Sequence, residues 1–150
     1  MDNQFENYML RALELAREAS EHGDVPVGCV IVDSAGEIIG QGRNRREEKH
    51  DATSHAEIEA IREACQSLGS WRLDDCTMYV TLEPCPMCAG AIINSRIPTL
   101  VYGADEEQSG SCGSVIDLFM ERYGHRPAVY SGVLAGESAG LLKDFFKGKR

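Results

Sequence analysis

The sequence predicts an α/β fold of three layers, α/β/α, in which helices cover both faces of a mostly parallel five-stranded sheet. Three observations carry this expectation. An amphipathic helical pattern opens the chain, two short apolar runs around a turn follow it, and from residue 54 onward helix-like and strand-like stretches alternate. Such alternation favours a parallel sheet, because a strand must be followed by a crossover, usually a helix, before the next one can run the same way.

Phe5, Met9, Ala12, Leu13, Ala16 and Ala19 recur at helical spacing, so residues 2–21 read as a helix with one apolar face. Gly23 ends it. Residues 27–33 and 37–42 are apolar runs around Asp33-Ser34-Ala35-Gly36, the pattern of a β-hairpin. Ile58, Ile61, Cys65 and Leu68 mark a second helix, entered near Ser54 and stopped by Gly69. Residues 77–82 form a strand. A third helix begins around Pro86, since proline suits a first helical turn. Residues 99–102 are another strand, 115–120 a helical segment and 128–130 a short strand. Leu134, Leu141, Leu142, Phe145 and Phe146 place a last helix that runs almost to the end.

A length of 150 residues fits one domain with one core, expected over residues 1–150. Charges run throughout the first twenty residues, which excludes a secretory apolar segment there. No stretch approaches the ~18 consecutive apolar residues of a membrane span. The expectation is therefore a cytoplasmic protein with no membrane partner. The net charge of −9 argues against broad, nonspecific binding to nucleic acid. It leaves room for a local basic cluster, because screening limits the reach of charge to about 8 Å. Lys143, Lys147, Lys149 and Arg150, set against Asp144 alone, form such a cluster.

Of the six cysteines, only Cys85 and Cys88 are closely spaced. Without a secretion signal, a lone C-x-x-C points to metal or redox chemistry more than to a disulfide framework. Cys29, Cys65 and Cys76 read as small buried hydrophobes. Upstream, His55 is followed two positions later by Glu57. One imidazole and two thiolates make a three-ligand zinc set, one Zn2+ per subunit, and leave the fourth tetrahedral position open, as in a catalytic site. Glu57 is not needed to fill that shell and is free to move protons. Zinc lowers the pKa of water toward ~7. Glu57 would take the proton, hand it to a ring nitrogen and later protonate a leaving amine. That is deamination of a heteroaromatic base.

The spacing also constrains geometry. Residues two apart on a helix point about 200° apart, so His55 and Glu57 cannot share a helical face, but they can share a helix end. Cys85 and Cys88, three apart, are neighbours on one face. A helix amino terminus favours thiolate over thiol. Two helix starts converging on one metal, each following one of two adjacent parallel strands, are the expected arrangement.

H-x-E followed by P-C-x-x-C is the signature of the zinc nucleobase deaminases. Within that superfamily the chain resembles the bacterial tRNA adenosine deaminases of the TadA type. The matching stretches are Asp24 to Gly28, Gly42 to Arg45, His50 to Glu57, Tyr79 to Cys85, Met87 to Ile92, Ser95 to Ile97, and Gly132 to Lys147. The resemblance implies a cytidine deaminase-like fold, a homodimer, and conversion of adenosine to inosine at the tRNA wobble position. It implies that His55, Cys85 and Cys88 hold zinc, that Glu57 is the general acid/base, and that Asn44 hydrogen-bonds the base. Val27, Ala56 and Leu82 would line the base pocket. Arg45, Phe145, Phe146 and Lys147 would touch the anticodon loop.

One segment departs from the pattern. Where such relatives place a basic residue near RNA, this chain has Asp105-Glu106-Glu107-Gln108-Ser109, which would repel phosphates. Ile61 to Cys65 together with Leu73-Asp74-Asp75-Cys76 is also similar to guanine deaminases. A deaminase of a free nucleobase or nucleoside, guanine or cytosine, is thus the alternative. A non-catalytic, zinc-stabilised binding module is a third reading, and Cys112 is its candidate fourth ligand.

Overall fold

The structure is a computed structural model and describes residues 2–148. Lys149 and Arg150 of the basic cluster lie outside the described residues. The elements in chain order are α1 (Asp2–Glu21), β1 (Gly28–Val32), β2 (Ile38–Arg43), a single-turn helix α2 (Arg46–Lys49), α3 (Ala56–Leu68), β3 (Thr77–Leu82), α4 (Pro86–Ser95), β4 (Thr99–Ala104), β5 (Ala128–Tyr130) and α5 (Ala135–Lys147). Among the described residues no helix is long and apolar enough to cross a membrane.

The sheet order is β2-β1-β3-β4-β5. β3, β4 and β5 pair parallel, whereas β1 is antiparallel to both of its neighbours, β2 and β3. Four strands therefore share one direction and β1 alone runs against them, so the sheet is mostly, not wholly, parallel. This corrects one expectation. The strands that precede the two site-bearing helices, β2 and β3, are not adjacent, because β1 lies between them.

Two cores flank the sheet. On one face α1 buries Met9, Ala12, Leu13 and Leu15 against Val30, Val32, Tyr79 and Val101, and Leu141 of α5 packs beside them. On the other, α3 and α4 bury Ala56, Ala60, Ala64, Ala89, Ile92 and Ile93 against Cys29, Ile31, Met78, Val80 and Leu100. Alternate residues of each strand serve alternate faces, as the strand period of two requires. The three layers are those the sequence predicts.

Small residues set how closely α3 approaches the sheet. It presents Ala56, Ala60 and Ala64, all fully buried, to Gly40 and Gly42 of β2. A β-carbon on Gly42 would collide with the Ala56 carbonyl oxygen, with Glu59 Cβ and with the Ala60 nitrogen. Gly42→Ala must push the first turn of α3 outward. The expected cost is about 1–3 kcal/mol, the usual penalty of overpacking. Urea denaturation checks it, and an unchanged midpoint would contradict the packing described.

Residues 115–120 do not form the expected helical segment. Only a 3-10 turn, Leu118–Met120, is present, closed by the Asp117 carboxylate accepting the Phe119 N–H. Val115 and Ile116 are exposed, and the Val115 and Ile116 amides both turn back to the Gly110 carbonyl. The apolar pattern there belongs to a wrapped loop in which Phe119 is driven into the core and Leu118 packs against it.

Candidate active site

The two motifs sit at helix starts. His55 is the residue capping α3 and Cys85 the residue capping α4, both with extended backbone; Glu57 and Cys88 fall in the first turns that follow. β2 and β3 run the same way, so α3 and α4 begin at the same end of the sheet. The reversed β1 starts at that end, with Gly28 opposite Arg43 and Cys29 opposite Val80. Val27 is thereby carried to the same corner as Asn44 and Leu82.

Local hydrogen bonds fix His55. The Asp51 carboxylate accepts from the Thr53 amide, the Thr53 hydroxyl and the Ser54 hydroxyl, which locks the turn before it. The Asn44 side chain spans the corner. Its carbonyl oxygen accepts the Ala56 N–H at 3.0 Å and its amide donates to the Val25 carbonyl at 3.1 Å. It thus satisfies one of the free N–H groups at the start of α3.

His55 Nδ1 lies 3.6 Å from Cys85 Sγ and 3.6 Å from Cys88 Sγ. All three donor atoms fall within 4.8 Å of one another. A tetrahedral ion with metal–sulfur bonds of ~2.3 Å and a metal–nitrogen bond of ~2.0–2.1 Å requires a nitrogen–sulfur separation of ~3.6 Å. The donors therefore fit such an ion. Among the described residues the group holds these three alone. Cys112, the candidate fourth ligand, is not part of it. The four-donor shell of a purely structural site is not formed.

The charge balance also suits a cation. The Cys85 thiol is lowered to about 4, chiefly by a hydrogen bond from the Cys88 thiol, against the opposing effect of burial and with help from His55. Cys88 is pushed far up by its position beside that thiolate and by burial. His55 is raised by its contact with Cys85, which outweighs burial. Without a cation the two sulfurs share one negative charge, and a divalent ion among them lets both ionise.

Glu57 is only 4% exposed. Burial raises its carboxyl to about 7, with the Cys85 charge adding to the effect and its own amide and His55 opposing it. It meets His55 and Cys85 in a cleft of about 270 Å³. Of the other residues expected at the site, Val27, Asn44, Leu82 and Phe146 line this cleft. Ala56 does not line it; its side chain is fully buried in the core. Arg45 is drawn away by Glu48 at 2.6 Å and Glu59 at 3.7 Å. Phe145 is half-buried and packs edge-on against Phe146, which is 52% exposed. Lys147 is exposed in the last turn of α5, away from the cleft lining.

The cleft has residues that the sequence reading passed over. Arg46 lines it, and among the described residues no ion pair holds its guanidinium. Asp24 and Glu83, both 2% exposed, line it too. Asp24 accepts the Glu47 and Glu48 N–H groups and so anchors α2. Burial pushes the Glu83 carboxyl up, but hydrogen bonds from Ser114, Glu106 and Cys112 outweigh it and hold the group below the usual carboxylate range. The one signal available was a carboxylate at the end of an apolar strand, immediately before Pro84-Cys85. In the acidic stretch, Glu106 turns back to accept the Gln108 N–H, and Asp105 accepts the Tyr102 hydroxyl.

A buried carboxyl beside an open three-donor metal group, at the shared end of a three-layer sheet, defines a hydrolytic deaminase with the cytidine deaminase-like fold. The family model of the MafB19-like deaminases matches residues 3–150, and the chain belongs to that family. It is 47% identical over 145 residues to a tRNA-specific adenosine deaminase of Bacillus subtilis, a match covering 96% of this chain and 89% of that protein. It is 51% identical over 138 residues to a tRNA(Ile)-lysidine synthase of Deinococcus radiodurans; there the match takes in 92% of this chain but only 24% of the longer relative. A solved structure from studies of A-to-I editing by tRNA:A34 deaminases at the wobble position superposes with a TM-score of 0.87. That structure is 45% identical, and the match covers 91% of this chain and 99% of that one.

Proposed function

We propose that the chain is a zinc-dependent deaminase that converts adenosine to inosine at the wobble position of tRNA, as a cytoplasmic homodimer with one zinc and one catalytic domain per subunit. The observation that carries this reading is the pair of 3.6 Å separations from His55 Nδ1 to two sulfurs, set in one cleft with a buried carboxyl. His55, Cys85 and Cys88 hold the zinc. Bound there, zinc supplies Lewis acidity that makes a water molecule a nucleophile near neutral pH.

Glu57 does the proton work. It takes a proton from the attacking water and delivers it to the ring nitrogen next to the amine-bearing carbon. It then moves a second proton to the amine. The carbon–oxygen bond forms, the carbon–nitrogen bond breaks, and ammonia leaves. A buried carboxyl in the same cleft as the three donors is placed to pass protons in both directions, which is what this double role needs. Asn44 has one side-chain N–H beyond the one given to Val25, and that hydrogen is available to the base. Val27 and Leu82 provide apolar walls.

Two features support RNA as the substrate: Arg46 brings a cation to the cleft, and Phe146 brings an exposed ring on which a base can stack. Val115, Ile116, Met120 and Tyr123, exposed close together in sequence, support a subunit interface. The test is ammonia release from an anticodon stem-loop with adenosine at the wobble position, against guanine, cytosine and free adenosine. Turnover confined to the stem-loop is the expected result. Turnover of a free base without turnover of the stem-loop would replace this reading with the free-base alternative.

A further inference from the structure

Glu83 follows β3 directly and precedes the ligand segment Pro84-Cys85. It is buried, and both of its oxygens are occupied. Oε1 accepts the Glu106 N–H at 3.0 Å and the Ser114 hydroxyl; Oε2 accepts the Cys112 N–H at 3.0 Å and the Ser114 N–H at 3.1 Å. With four donors on one carboxylate there is no lone pair left for a substrate or a proton. Glu83 therefore cannot duplicate the role of Glu57, although it opens on the same cleft.

The loop is shaped around this carboxylate. Three backbone N–H groups from two parts of the loop, those of Glu106, Cys112 and Ser114, turn inward on it. Gly110 lies against it so closely that a β-carbon there would fall 2.5 Å from Glu83 Cδ and 2.6 Å from Oε1. A second tie, Ser111 N–H to the Pro84 carbonyl at 2.9 Å, joins the same loop to the ligand segment. What these bonds hold in place is the run Glu106, Gln108 and Ser109, one wall of the cleft. α2 with Arg46 contributes another wall, and it too is held by a buried carboxylate accepting backbone N–H groups, that of Asp24.

We propose that Glu83 is the positioning residue of the cleft: through the 106–114 loop it sets the wall that admits the substrate, without touching the reacting atoms. This rests on the deaminase reading of the cleft. It assigns a task to a buried anion that neither the metal nor the proton chemistry uses.

Three substitutions test it by different chemistry. Glu83→Gln keeps the shape but turns an acceptor into a donor facing backbone N–H groups. Gly110→Ala removes no polar group and drives a methyl from the loop side against both the Glu106 carbonyl oxygen and the Glu83 carboxylate. Ser114→Ala takes away one hydroxyl bond and is the mildest. Glu83→Gln and Gly110→Ala should raise KM about tenfold or more, the scale of one lost charge-assisted hydrogen bond. Their kcat should stay within about threefold and their metal content at the wild-type level. Hydrogen exchange at the Glu106, Cys112 and Ser114 amides should quicken while β3 and α4 stay protected, and Ser114→Ala should fall between these variants and wild type. If Glu83→Gln does not fold, Gly110→Ala and Ser114→Ala carry the test.

Faster exchange with unchanged KM would overturn the proposal. So would lost metal and lower kcat at unchanged KM, because Glu83 would then be supporting Cys85. KM is measured on whichever substrate the wild-type enzyme turns over. A failure of the tRNA assignment therefore appears in the wild type, and a failure of this proposal only in the variants.

Discussion

Glu57→Ala should keep its zinc and its fold and lose about 10²- to 10⁴-fold or more in kcat. The fold should survive because Glu57 sits in the first turn of α3, where the Asn44 side chain, bonded to Ala56, holds the helix start. Its removal also relieves the burial of an ionisable group. Chemistry should not survive, because a donor and acceptor of protons near neutrality is what the leaving amine needs, and Glu83, the other acid nearest Cys85 in sequence, has every oxygen occupied. Glu57→Gln separates shape from function: it fills the same space, cannot exchange a proton, and should be as impaired as the alanine variant. Metal analysis and ammonia release under saturating substrate make the measurement. Near-normal turnover with either side chain would contradict the proton-shuttle role.

Cys88→Ala should lose the metal and much of the stability that depends on it. Cys88 is fully buried in the first turn of α4, and its sulfur is one of the two that face His55 Nδ1. Two donors hold a divalent ion far more weakly than three, and metal affinity that requires the folded site is folding free energy. The informative comparison is with wild type stripped by a chelator. Chelation should lower the wild-type unfolding temperature to near that of Cys88→Ala and leave the variant where it was. Acid should act in the same direction, since the thiolates must stay deprotonated to hold the ion, so the metal is released as pH falls. Stoichiometric metal in the variant would show that the ligand set is drawn wrongly.

The His55, Cys85 and Cys88 donor group and the layering could be read from the chain because each has a local signature. His55-x-Glu57 and Cys85-x-x-Cys88 mark helix starts by spacing alone, and α1 and α3 declare one apolar face each. What escaped had non-local causes. α2 is one turn, Arg46 to Lys49, with no buried residue; it exists because Asp24, far upstream, accepts its first amides. Glu83 looks like a polar residue at a strand end until the loop that wraps it, more than twenty residues later, is in place. The 115–120 segment has apolar residues at helical density, but Val115, Ile116 and Met120 are exposed on a wrapped loop and only Leu118 and Phe119 turn to the core. Arg45 was a reasonable rim cation by sequence; Glu48 and Glu59 claim it, and the next residue, Arg46, is the one the cleft receives.

The reversed β1 has a consequence for biosynthesis. The hairpin β1–β2 with α3 emerges from the ribosome after α1 and carries His55 and Glu57 but neither Cys85 nor Cys88; these arrive only with β3 and α4, which must add to the far side of β1. A nascent chain that ends before Cys85 would lack two of the three donors of the proposed metal site. The proposed three-donor site would therefore be complete once β3 and the start of α4 have docked against β1, before β4, β5 and α5 add the rest of the fold.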